Sequence, residues 1–131
     1  MKKAIQLAVI LMAFVPAVTF AQQSKVNWPQ LKEFHTIMSA SFHPAEEGNF
    51  APLKANAETL FNAARTWQKS SIPEEQFKLK ETKDALRRLV TDCSAVHKAV
   101  LSNRSDADLM VLITKAHDTF HTIVGACRQQ D

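Results

Sequence analysis

The sequence predicts an all-α protein: an antiparallel up-down-up-down four-helix bundle that follows a cleaved signal peptide. Three observations carry that prediction. Two glycines and no tyrosine among 131 residues, with abundant Ala, Leu, Lys and Glu, favour helix over strand. Four stretches repeat apolar residues at the i, i+3, i+4, i+7 spacing of one helical face. The breaks between them are short, which makes consecutive helices antiparallel neighbours.

The chain opens MKKAIQLAVILMAFVPAVTFA. Lys2 and Lys3 precede a mainly apolar run from Ala4 to Val15, then a helix-breaking Pro16, and Thr19 and Ala21 stand at the small-residue positions of a cleavage site. This is the layout of a secretory signal peptide, residues 1–21, cut after Ala21; the run is short for a membrane span and no second one follows. No cysteine stands at the cut, so no lipid anchor is expected. The expectation is a free periplasmic protein of residues 22–131, one domain in size. Cleavage removes two lysines and no acid, so 16 basic residues become 14 against 13 acidic ones and the net charge falls from +3 to +1. Nothing clusters Lys and Arg with aromatics, so nucleic acid is excluded as a partner.

The first helical segment, 27–43, aligns Leu31, Phe34, His35, Met38 and Phe42; Pro44 is expected to end it, because the residue before a proline is steered away from helical backbone. Gly48 and Asn49 restart the chain. The second, 51–70, aligns Leu53, Ala57, Leu60, Phe61, Ala64 and Trp67. The third, 75–102, carries Leu79, Leu86, Leu89, Val90, Cys93, Val96, His97 and Val100. Ser105 with Asp108 three residues on resembles a capping box. It opens the fourth, 106–128, with Leu109, Ile113, Ala116, Phe120, Ile123, Val124 and Cys127. Met38, Met110, Trp28 and Trp67 read as packing residues.

In such a bundle, residues equidistant from a turn share a height. With turns near 47, 74 and 104, His117 falls opposite Val90, then position 59, then His35. His121 lies one turn, about 6 Å, away, and Met38 and Cys93 about half a turn to the other side. At about 100° per residue, His35 and His97 point inward, His117 lies at the margin of the apolar stripe, and His121 lies further out. The same heights gather His43, His97 and Met110 near the opposite end, beside Glu46 and Glu47. They also hold Cys93 and Cys127 about 18 Å apart along the axis, beyond the Cα separation of about 7 Å that a disulfide allows.

Neutral imidazole is the commonest metal ligand, and an i, i+4 pair presents two nitrogens to one ion. The expected metal site is therefore His35, His117 and His121, between the first and fourth helices, with Met38 and Cys93 as additional donors. Histidine with Met or Cys suits copper, and three histidines also suit zinc. A second, weaker site consists of His43, Glu46, Glu47 and His97, whose plain alternative is a solvated turn. HDTFH echoes the HExxH of zinc peptidases, but the sequence after His121 offers no third ligand or cleft. No nucleophile, base and oxyanion set is visible, so no enzyme is expected.

With His and Met on the first helix and His near the end of the fourth, the mature chain resembles the periplasmic b-type and c-prime four-helix cytochromes in architecture. The c-prime type would carry C-x-x-C-H near the end of the fourth helix, where this chain has GACRQQD, so covalent haem is excluded. The b-type resemblance implies haem b between His35 or Met38 and His117 or His121, with Ala57, Ala63 and Ala64 giving room for a macrocycle. The functional expectation is periplasmic copper or zinc handling or sensing. A b-type electron carrier and a cofactor-free adaptor or stress-response bundle are the alternatives, and a surplus apolar stripe would support a homodimer.

Overall fold

The structure is a computed structural model that describes residues 25–130; the signal peptide reading lies outside them. Four helices form the described chain: α1 (Pro29–Glu46), α2 (Ala51–Lys69), α3 (Leu79–Leu101) and α4 (Asp106–Val124). Each packs on its sequence neighbour, and α1 closes the ring against α4 along the least closely packed of the four seams. This is the predicted all-α up-down bundle. No described helix is long and apolar enough to cross a membrane.

The apolar stripes become the core. Phe34, Leu60, Trp67, Leu89, Val96, Leu109, Ile113 and Ile123 are all essentially inaccessible. One end of the bundle is aromatic: Trp28 stands edge-on to Trp67 and Phe77, at centroid distances of 5.5 and 5.1 Å, and Phe34 packs on both Trp67 and Phe120. The Trp28 indole satisfies its one donor on Ser70 Oγ at 2.8 Å, so the ring is buried without an orphaned N–H. At the other end Lys54 of α2 meets Asp106 of α4 at 3.0 Å.

Three boundaries differ from expectation. α1 passes through Pro44 and stops at Glu46, its last turn held by Glu47 and Asn49 N–H on Pro44 O and by Gly48 N–H on Ala45 O; the turn closes on Gly48, whose φ of 87° suits a residue without a Cβ. α3 starts at Leu79 rather than 75, since buried Phe77 pairs its backbone with Arg128, and Lys78 N–H and Gln129 N–H bond Cys127 O and Gln76 O, each at 2.8 Å. The same pairing ends α4 at Val124, ahead of Gly125, rather than at 128. Ser105 caps α4 as its sequence suggested, accepting from Asp108 N–H at 3.1 Å.

The cysteines are both free and buried. Cys127 lies beside Thr82, where the helix heights put it, and Cys93 sits among α3 core residues well along the bundle. Burial raises both thiols above the usual range, and the Asp92 charge adds to this at Cys93.

Candidate metal centre

Helix α4 has two flanks either side of its core stripe of Ile113, Ala116, Phe120 and Ile123. On the flank toward α3, Thr119 donates to Asp92 Oδ2 at 2.7 Å and Lys115 approaches Asp92 Oδ1 at 3.7 Å. On the opposite flank are His117 and His121, one turn apart and facing the α1 side. His117 is half-buried and His121 exposed, in the order their helical angles give.

Their Nε2 atoms are 3.2 Å apart, with the rings nearly perpendicular. That distance suits a hydrogen bond between the two rings, whose donor is set by the tautomers. A tetrahedral ion with Zn–N bonds of about 2.0–2.1 Å would place two ligand nitrogens about 3.3 Å apart. The nitrogen spacing thus matches that of two zinc ligands, although the rings must turn so that both lone pairs point at the ion rather than at each other. Burial lowers the His117 pKa, and the neighbouring His121 lowers it further. Both causes favour the uncharged imidazole that a metal needs.

Aromatic rings from both helices flank the pair. Phe42 stacks on the His117 ring at a centroid distance of 3.9 Å and an interplanar angle of 13°. His35 stacks on Phe120 at 5.2 Å, and the Phe120 ring is in turn edge-on to His121. His35 is thus on the same seam as the pair, but it is exposed rather than inward, and its ring face lies on Phe120. The register explains the difference. Because α1 runs on through Pro44, its turn lies beyond position 47, which moves the level of His117 from His35 toward residues 38–42.

The last turn of α1 adds a second pair. His43 Nδ1 and Glu46 Oε1 are 3.0 Å apart, both side chains being about half exposed or more. Their charges act weakly on His117, Glu46 raising its pKa and His43 lowering it. His97, grouped with them by height, instead stacks over Phe61 at 6.0 Å, on the seam between α2 and α3. Equal height does not fix position around the bundle, and the two histidines belong to different seams. Glu47, the residue that follows α1, is exposed.

The sulfur donors are elsewhere. Met38 is 1 % exposed and Cys93 fully enclosed, both within the core, and Met110 is half-buried against it. Among the described residues, no three His, Cys, Asp or Glu side chains already converge on one point as a metal cage would. What the fold brings together is one preset two-nitrogen clamp with a nearby His–Glu pair. The role of Phe42 as the ring that seats His117 was not visible in the sequence, where it read only as a stripe residue. In comparisons with known protein families, curated proteins and solved structures, nothing matches this chain.

Proposed function

We propose that this chain is a periplasmic metal-binding protein that handles or senses copper or zinc, holding the ion between α1 and α4. The observation that carries the proposal is the 3.2 Å separation of His117 Nε2 and His121 Nε2 on a half-exposed helix flank. Two neutral imidazoles at that spacing form a chelate, and the solvent exposure of His121 gives an ion a way in. His35, on the same seam, is the sequence-derived third ligand; reaching the ion requires its ring to leave the face of Phe120.

The test is equilibrium dialysis of the purified protein against Zn²⁺ and Cu²⁺, with elemental analysis and an optical spectrum of the protein as isolated. One ion per chain is expected in the wild type and none in the His117→Ala/His121→Ala double variant. Equal uptake by both would sink the proposal. The b-type haem reading draws on the same histidines, and a Soret band in the isolated protein would favour it instead.

A further inference from the structure

We propose that the outward face of the first half of α3 is a docking surface for an anionic phospholipid bilayer, a role separate from the metal reading and independent of it. Charge is the first observation. Over residues 78–88, Lys78, Lys80, Lys83, Arg87 and Arg88 stand against only Glu81 and Asp84, an excess of three positive charges in a chain whose total is +3. The rest of the chain is therefore balanced, and its positive charge is concentrated in one place. At about 100° per residue, Lys80, Lys83 and Arg87 fall within one arc of about 60° that points away from the core residues Leu86 and Leu89. All three are exposed, Lys80 at 86 % and Arg87 at 73 %. At the edge of the arc Leu79 is 39 % exposed, a large apolar side chain left in solvent among cations.

The one acid on this face, Asp84, lies 3.0 Å from Lys80 and 3.5 Å from Arg87. Exposed pairs of that kind hold weakly, so both cations can exchange the carboxylate for a phosphate. Lys83 and Arg88 have no ion pair among the described residues. Shape then selects the partner. The hollow beside Leu79, about 330 Å³, is lined by Leu79, Lys80, Lys83, Asp84 and Arg87, all from α3. A bound peptide needs a groove or a sheet edge, and no second element walls this hollow. Long exposed cations around a leucine on a convex helix face instead match a plane of phosphates, with Leu79 entering the headgroup boundary. α1 makes no close approach to α3, being diagonal to it in the ring, so a bilayer on this face leaves the α1–α4 seam in solvent.

The experiment is co-sedimentation of the isolated protein with vesicles of mixed phosphatidylglycerol and phosphatidylcholine, and with vesicles of phosphatidylcholine alone. Wild type is compared with Lys83→Glu/Arg87→Glu, with Leu79→Ser, and with Lys25→Glu/Lys32→Glu, which makes the same change of charge on the side of α1. All are prepared in the same form, and circular dichroism checks that each is folded. Binding is expected only to the anionic vesicles, and salt at about 1 M, where the screening length falls to about 3 Å, should release it. A basic residue at such a surface is worth about fivefold in affinity, so Lys83→Glu/Arg87→Glu should lose at least about 25-fold. Leu79→Ser should show a smaller loss and Lys25→Glu/Lys32→Glu little change. Equal losses in the two double variants would reduce the effect to net charge and overturn the assignment to α3. Equal binding to both kinds of vesicle, or to neither, would overturn the proposal. So would absence of vesicle binding beside binding of polyglutamate that Lys83→Glu/Arg87→Glu abolishes, which would make the partner an acidic polypeptide. None of these outcomes bears on zinc uptake by the His117–His121 clamp, so the two readings fail separately.

Discussion

The two flanks of α4 carry the same spacing and reach different ends. Lys115 and Thr119 face α3, and His117 and His121 face α1, each pair one helical turn apart. On the α3 side the partner is Asp92, 6 % exposed, whose carboxylate accepts from Thr119 at 2.7 Å and holds Lys115 at its rim. That pair is fully engaged and locks the seam. On the α1 side Phe42 lays its ring face on His117, and Phe120, from α4 itself, stands edge-on to His121; neither ring occupies the two nitrogens that face each other. An i, i+4 polar pair on one helix thus ends in a cross-helix carboxylate on one flank and in ring packing on the other.

The sharpest way to break this contrast is Asp92→Ala. It leaves Thr119 without its acceptor across the seam and should lower unfolding stability by about 2–3 kcal/mol, the range for a charge-assisted hydrogen bond. Urea denaturation measures it, and Zn²⁺ affinity should be unchanged. A large loss of zinc affinity in a folded Asp92→Ala protein would mean that the flanks are not independent. The converse experiment is metal-linked stability: free Zn²⁺ at a hundredfold excess over its Kd should stabilise the wild type by about 2.7 kcal/mol and the His117→Ala/His121→Ala variant not at all. Without metal, the double variant should differ from wild type by about 1 kcal/mol, since it loses ring contacts and one exposed imidazole–imidazole hydrogen bond.

Smaller effects sharpen the comparison further. Phe42→Leu keeps most of the apolar volume but removes the stack on His117, and should cost about 1 kcal/mol or less in stability. It should weaken Zn²⁺ binding by releasing the ring from its fixed orientation; an unchanged affinity would show that the stack does not position the ligand. The smallest effect is on pH. The His117 pKa is lowered in the folded chain, so the unfolded chain binds more protons as pH falls through the normal imidazole range near 6.5. Stability of the metal-free protein is therefore full above that value and declines as pH drops below it toward the folded pKa. Thermal melts between about pH 7.5 and 5 should show that slope in the wild type and a shallower one in His117→Gln.

Much of this was legible in the sequence because the apolar stripes are regular. They gave the four helices, and turn arithmetic held Cys127 far from Cys93 at a level near position 80, close to the Thr82 it meets. The height of His35 was not legible, since Pro44 signals a stop that the hydrogen bonds of the last turn override; the longer α1 shifts every level that depends on that turn. Height also says nothing of azimuth, which is why His43 and His97 were grouped although they line different seams. The closeness of the His117 and His121 nitrogens was implied by spacing, but their orientation depends on Phe42 and Phe120, and ring stacking has no sequence signature.

The central claim is that His117 and His121 act together on one ion. Imidazole ¹⁵N–¹H correlation spectra recorded while Zn²⁺ is added would test it most directly, because they report each ring nitrogen separately. One equivalent of Zn²⁺ should shift both the His117 and His121 Nε2 signals in step and leave His97 where it is. A titration that moves His97 first, or that leaves the two Nε2 signals unchanged at saturating zinc, would contradict the account.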